Sequence, residues 1–177
     1  MNTQPLNVLK YCPKCGSDRF LPSGTRSLKC EDCNFYFYIN SSAAVAALIN
    51  NGSGKLMLVT RGVEPNYGKL DLPGGFIDPM EDAEHAVQRE LKEELGLEVK
   101  TLKYFGSAPN EYIFSEYSVF TIDLAFLVTA QSITELNPMD DILDYQFYSE
   151  EEINYDDIPA PSIKHFVKSY FQKTKPA

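Results

Sequence analysis

The sequence predicts an α/β or α+β domain preceded by a small module held together by metal. Three observations carry that expectation. Strand-sized apolar runs are mixed with two stretches of helical periodicity, four cysteines lie within the first 33 residues, and an acidic helical stretch follows a Pro-Gly-Gly loop.

The cysteines come first in the chain. Cys12 and Cys15 form one C-x2-C pair, Cys30 and Cys33 a second, with 14 residues between the pairs. Two residues between thiolates let one tight turn aim both sulfurs at a single point, and Gly16 can supply the positive φ that such a turn often requires. Two turns facing each other close a tetrahedral zinc site with no open position for chemistry. The alternative is a pair of disulfides in a secreted module. A redox pair has less support, because no βαβ pattern surrounds either motif. A segment this short buries little core, so metal must largely hold it folded. Residues 1–38 are read as a zinc ribbon and 39–177 as the following domain.

After the ribbon, Phe35, Tyr36, Phe37 and Tyr38 suit a strand. Four consecutive aromatics are more apolar surface than a small ribbon covers alone, so this run is expected in a homodimer interface or at the seam with the next domain. Residues 43–49 and 55–60 flank a turn rich in Gly and Asn and read as a β-hairpin. Residues 70–75 lead into the Pro73-Gly74-Gly75 loop, and 82–95 form a helix that no Gly or Pro interrupts. Residues 102–107, 117–129 and 145–148 read as strands. Behind Pro161 and Ser162, the helical spacing of Ile163, Phe166, Val167, Tyr170 and Phe171 marks a last helix.

The formal net charge is −9, from 16 Lys and Arg against 25 Asp and Glu. A surface that negative repels nucleic-acid backbones and anionic membranes, so neither is an expected partner. A phosphate-bearing substrate then needs a positive mediator, for which metal ions are the obvious source. No apolar run approaches the length of roughly 20 residues that a membrane-spanning helix needs. Residues 1–10 lack a basic-then-apolar leader pattern, so the cytoplasm is the expected compartment. The two histidines, His85 and His165, both sit in helical patterns rather than beside a nucleophile, which disfavours triad chemistry.

The helix at 82–95 carries the chemistry. At roughly 100° per residue, Ala83, Val87, Leu91 and Leu95 form an apolar stripe. Glu90 and Glu94 sit at its margin, with Glu93 further round. Like charges at i and i+4 destabilise a helix, more so where the dielectric is low. A divalent cation would remove the conflict, and Mg²⁺ prefers carboxylate oxygens, waters and phosphates. The bland alternative is a solvated acidic face with Arg89 offsetting part of its charge. The Pro73-Gly74-Gly75 loop, which brings bare backbone toward the same face, favours metal.

From Gly75 to Leu97 the chain matches G-x5-E-x7-R-E-U-x-E-E-x-G-U, with U apolar, at every fixed position. This stretch resembles the signature of the Nudix hydrolase superfamily. The resemblance implies an α/β/α sandwich around a mixed β-sheet and Mg²⁺- or Mn²⁺-dependent cleavage of a diphosphate. It also implies roles. Glu90 and Glu94 look like the main metal ligands, joined by the Gly74 carbonyl, and Glu93 like a further ligand or a base. Arg89 looks like the residue that orients the carboxylates, supported by Glu81. One further acidic residue outside the box is expected, with Asp141 the first candidate and Asp140 and Glu135 behind it.

A zinc ribbon directly ahead of such a domain is similar to the NADH pyrophosphatase branch. Two departures weaken that match. The S-Q-P-W-P-F-P-x-S array of that branch is replaced by residues 107–115, Ser-Ala-Pro-Asn-Glu-Tyr-Ile-Phe-Ser, and the expected Tyr-Pro-Arg stretch by Phe37, Tyr38, Ile39 and Asn40. Glu111, Tyr112 and Tyr117 are candidates for lining a base or sugar pocket, through flat rings for stacking and a carboxylate for ribose. The expected substrate is a nucleoside diphosphate linked to another moiety, such as ADP-ribose, a nucleotide sugar or NADH. The other class of function is a nucleotide-sensing or nucleic-acid-contacting regulatory module, for which Lys10, Lys14, Arg19, Arg26 and Lys29 make the ribbon locally basic.

Overall fold

The computed structural model describes residues 3–134 and 136–174, and the chain divides into two compact units. One is Met1–Ser41 with Glu111–Phe120, the other Ser42–Asn110 with Thr121–Ala177.

In the first unit a short helical turn, α1 (Pro5–Val8), precedes an antiparallel meander of β1 (Phe20–Pro22), β2 (Ser27–Cys30) and β3 (Tyr36–Tyr38). Alternation along the strands turns Phe20, Leu28 and Cys30 inward with Cys12, and Phe35, Phe37 and Ile39 pack against them. The aromatic run therefore splits by its period of two. Phe35 and Phe37 join the ribbon core, whereas Tyr36 and Tyr38 stay 45% and 56% exposed. The Glu111–Phe120 segment is tied to the N-terminal stretch, with the Ser118 N–H donating to the Thr3 carbonyl at 2.8 Å and Gln4 Nε2 donating to Glu111 at 3.1 Å.

In the second unit the order is β4 (Ser42–Ile49), β5 (Leu56–Arg61), β6 (Leu70–Asp71), α2 (Ala83–Leu95), β7 (Val99–Phe114), β8 (Tyr117–Ala130), β9 (Ile142–Tyr148) and α3 (Pro161–Thr174), with β7 and β8 running on into the first unit. The strands form two three-stranded sheets, β4-β8-β7 and β6-β5-β9. The first is mixed, since β4 pairs parallel with β8. Ser115 and Glu116, both at positive φ, make the two-residue turn that joins β7 to β8.

The hairpin expected of β4 and β5 does not form. β4 pairs with β8, β5 pairs with β6 and β9, and only a single bridge, Asn50 to Leu56, joins the two. Their near-continuous apolar runs give the reason: both strands are buried on both faces and central to the fold. Val45, Ala47, Ile49, Met57 and Val59 pack with Val87, Leu91 and Leu95 of α2. Ala46, Leu48, Leu56 and Leu58 pack with Ile163, Phe166, Val167 and Tyr170 of α3. Two helices thus cover opposite faces of the strand layer, which is the expected α/β/α sandwich. Phe166 is fully buried in the second cluster. Phe166→Ala is expected to cost about 3–5 kcal/mol of stability, read from urea unfolding.

Candidate active site

Local signals set the acidic helix. Asp82 caps α2 by accepting the His85 N–H at 2.9 Å, and Gly96 ends it in the left-handed region at φ 65°. The preceding loop runs along β4. Ala47 N–H donates to Pro73 O, Val45 N–H to Gly75 O and Ile77 N–H to Ala43 O, all within 3.0 Å. That close approach excludes side chains. Gly74 has φ 140°, and a Cβ there would stand 2.2 Å from the Val45 carbonyl oxygen. A Cβ on Gly75 would stand 2.5 Å from Glu90 Oε1. Gly74→Ala is therefore expected to destabilise the protein by roughly 2–4 kcal/mol through backbone strain and collision, measured by denaturant unfolding.

Arg89 organises the carboxylates. Its guanidinium grips both oxygens of Glu81 at 2.9 Å, and donates to Glu90 at 2.9 Å, to Glu93 at 3.0 Å and to the Phe76 carbonyl at 3.0 Å. Glu81 also accepts the Asp78 N–H at 3.0 Å, and these bonds, those from Arg89 first, hold its pKa down to about 2. Glu94 is separate from this network. It is only 7% exposed and accepts the Gly74 N–H at 2.9 Å. Glu93 is the outlying member, its side chain 52% exposed. Lysine at position 89 would lose the planar fork that serves three carboxylates. Arg89→Lys is expected to lower turnover about 10- to 100-fold with the melting temperature nearly unchanged, as measured by steady-state kinetics and thermal unfolding.

Burial dominates the electrostatics. It pushes the Glu94 pKa up to about 8 against the pull of the Gly74 N–H, and the negative charges of Glu90, Asp71 and Asp141 push the same way. Burial raises Glu90 as well, opposed by Arg89. A buried carboxylate beside glycine backbone, acted on by the charges of Glu90, Asp71 and Asp141, offers hard oxygen donors of the kind a divalent cation such as Mg²⁺ takes. Glu90 and Glu94 would hold it, with Glu93 and the Gly74 carbonyl as further donors.

The cysteines form a second candidate metal site, in the other unit. Among the described residues they are the one group of three or more His, Cys, Asp or Glu whose ligand atoms all lie within 4.8 Å. Cys12 and Cys33 sulfurs are 3.7 Å apart, and those of Cys15 and Cys30 3.6 Å. Disulfide sulfurs would be about 2.05 Å apart. A tetrahedron with Zn–S bonds of about 2.3 Å has edges of about 3.8 Å, so the arrangement fits zinc. Gly16 and Asn34, each following the second cysteine of a pair, adopt positive φ.

The family model described as NUDIX domain matches residues 40–169. The chain belongs to the Nudix family. A Vibrio parahaemolyticus protein named NAD-capped RNA hydrolase NudC is 29% identical over 146 residues, covering 82% of this chain and 53% of its own. The chain spans about half the length of the curated relatives it matches. Among solved structures, a NUDIX hydrolase from Nitrosomonas europaea superposes with a TM-score of 0.66 at 23% identity, covering 94% of this chain and 92% of that one. The NUDIX domain of Shewanella oneidensis NrtR, complexed with ADP ribose, gives 0.57 at 19% identity, covering 77% and 88%. At these identities the structural likeness speaks to the Nudix fold.

Around the Nudix box, sequence reasoning missed a second set of charged groups. Arg61, at the end of β5, pairs with Asp71 of β6 at 2.8 Å. Burial raises the Asp71 pKa despite that cation. Asp123, buried in β8, accepts the Ser162 hydroxyl and acts on Asp71 electrostatically. A lone carboxylate inside each apolar strand run was the available signal. Asp141 lies in the turn before β9, where its carbonyl accepts the Gly62 N–H at 2.6 Å and its charge reaches Glu94. Asp140 has φ 53° in the same turn, and Glu135 falls outside the described residues. Glu111, Tyr112 and Tyr117 belong to the unit that contains the ribbon.

Proposed function

We propose that this chain hydrolyses the diphosphate of a nucleoside diphosphate linked to a second moiety, releasing a nucleoside monophosphate and a phosphorylated partner. The observation that carries the reading is the buried Glu94, placed with Glu90 against the Gly74–Gly75 backbone inside an intact Nudix box. Mg²⁺ or Mn²⁺ bound there would activate the attacking water and neutralise charge on the leaving phosphate. The protein's own contribution is to aim the ligands. Arg89 fixes Glu90 and Glu93, Glu81 fixes Arg89, and the glycine loop lets bare backbone close against β4 and the Glu90 carboxylate. Asp141 serves as the extra acidic group from outside the box.

The second moiety is ADP-ribose-like, a nucleotide sugar or a nicotinamide dinucleotide, including the NAD cap named for the Vibrio relative. Incubation with NADH, ADP-ribose, sugar nucleotides and nucleoside triphosphates in Mg²⁺, followed by product separation, tests this. Monophosphate products from the linked diphosphates support it. Pyrophosphate from a triphosphate as the dominant product would overturn it.

The same reading treats 1–38 as a ribbon held by one Zn²⁺ on Cys12, Cys15, Cys30 and Cys33, and 39–177 as the hydrolase domain. Reduced zinc thiolates suit the cytoplasm, and no described helix is long and apolar enough to cross a membrane. Assembly as a homodimer belongs to it too, since edge strand β7 leaves Tyr104, Ile113 and Phe114 exposed. Light scattering is expected to give twice the 20.0 kDa chain mass.

A further inference from the structure

We propose that Arg61, at the end of β5, binds phosphate oxygens of the substrate, with Asp71 holding its guanidinium in place. The inference rests on the hydrolase reading in taking the Nudix box as the place where the diphosphate sits.

A diphosphate brought to Glu90, Glu93 and Glu94 meets like charge, so cationic donors have work to do beside a metal ion. Arg89 is the cation of the box itself, and all five of its N–H groups are taken by Glu81, Glu90, Glu93 and the Phe76 carbonyl. Lys69 and Lys92 are paired with Asp157 and Glu98. Arg61 differs. Its Nε donates to the Pro65 carbonyl at 3.0 Å and its Nη1 to Asp71 at 2.8 Å. Among the described residues the other three N–H groups, both of those on Nη2 included, meet no acceptor. The side chain is 27% exposed, so those donors can be reached.

Strand alternation puts them on the side of the acidic helix. Along β5, Leu56 and Leu58 pack with α3, whereas Met57 and Val59 pack with α2. Arg61 is the next residue of the second series and the last of the strand. Asp71 stands opposite Val59 in the β5–β6 register and shares that face. Two short paths tie the pair to Glu94. Asp71 lies three residues before Gly74, whose N–H donates to the Glu94 carboxylate at 2.9 Å. Gly62, next to Arg61, donates its N–H to the Asp141 carbonyl at 2.6 Å, in the turn where the Met139 N–H donates to the Glu94 carbonyl at 2.8 Å. The backbone of Arg61 is held as well, its N–H donating to the Lys69 carbonyl and its carbonyl accepting the Gly68 N–H, both at 2.9 Å. A guanidinium anchored through Nε and Nη1 leaves the rest of its planar fork for phosphate oxygens.

The test compares wild type with Arg61→Gln, Asp71→Asn and the double variant, all as the full chain in Mg²⁺. One readout is calorimetric binding of α,β-methylene ADP, whose carbon bridge resists cleavage. The other is kcat/KM on whichever nucleotide the wild-type chain hydrolyses. Arg61→Gln is expected to weaken binding of the analogue about 10- to 100-fold and to lower kcat/KM by a similar factor. Asp71→Asn keeps an acceptor for the guanidinium and should lose less, about 2- to 5-fold. The double variant replaces the ion pair by two neutral amides, so its melting temperature should return toward wild type while binding stays as weak as in Arg61→Gln. The proposal fails if the wild-type chain does not bind the analogue, or if Arg61→Gln binds it as tightly as wild type. It also fails if the double variant regains tight binding, since the pair then serves the fold alone. Because the analogue reports binding without turnover, a chain that cuts triphosphates in place of linked diphosphates overturns the substrate reading and still decides this one.

Discussion

Glutamine at position 94 is expected to lower hydrolysis about 100-fold or more and, at the same time, to stabilise the metal-free protein. Both effects come from one carboxylate. Gln keeps an acceptor for the Gly74 N–H but removes the charge that a cation needs. In the metal-free fold that charge is a liability, because the Glu94 pKa rises from 4.5 to about 8. The sign follows from linkage. Below pH 4.5 folded and unfolded states are both protonated at this site and the group is neutral in its effect. Between 4.5 and 8 the unfolded chain ionises while the folded one holds its proton, so stability falls as pH rises. Glu94→Gln should therefore match wild type at acid pH and exceed it near pH 8 by on the order of 2–4 kcal/mol in Mg²⁺-free urea unfolding. Saturating Mg²⁺ should reverse the order at pH 8. Identical pH profiles for the two proteins would refute this account of Glu94. Glu90→Gln should lose activity similarly, with a smaller gain in stability, because Arg89 already compensates its charge.

Removal of the zinc proposed for the four cysteines is expected to have the other large effect. Structural zinc contributes apparent binding free energies of about 10–16 kcal/mol in comparable small modules. The ribbon core, by contrast, rests on few side chains: Cys12, Phe20, Leu28 and Cys30 are its buried members. Cys30→Ser, or chelation, is expected to unfold residues 3–41 locally, with new proteolytic cleavage there and exposure of Phe35 and Phe37. Elemental analysis should give about one zinc per chain before treatment and none after. Two disulfides and no metal in the purified protein would contradict it.

Much of the architecture was legible because periodicity and punctuation agree along the chain. The helix over 82–95 announced itself through its apolar stripe and its freedom from Gly and Pro, and the structure runs α2 over Ala83–Leu95 with Asp82 as cap. Long-range pairing was not legible. Residues 43–49 and 55–60 are as apolar as hairpin strands, and only the partners supplied by β8, β6 and β9 decide that they part. The same holds for the site. Glu90, Glu93, Glu94 and Arg89 lie on one helix, so their relation follows from 3.6 residues per turn. Asp71, Asp123 and Arg61 come from three strands, and a lone carboxylate in a strand run marks Asp71 and Asp123 singly without showing that they act on one another. The Arg89 hub is a further case: its reach to Glu81 and to the Phe76 carbonyl depends on how the loop folds back over α2.

Calorimetric titration of the metal-free site with Mg²⁺ at pH 7, in two buffers of different ionisation enthalpy, tests the central claim most directly. If Glu94 holds the cation, binding must displace the proton that burial keeps on it, so the wild-type chain should release close to one proton per Mg²⁺. Glu94→Gln should bind at least 10-fold more weakly and release none. Binding of equal affinity in the two proteins, with no proton released by either, would show that the cation sits elsewhere.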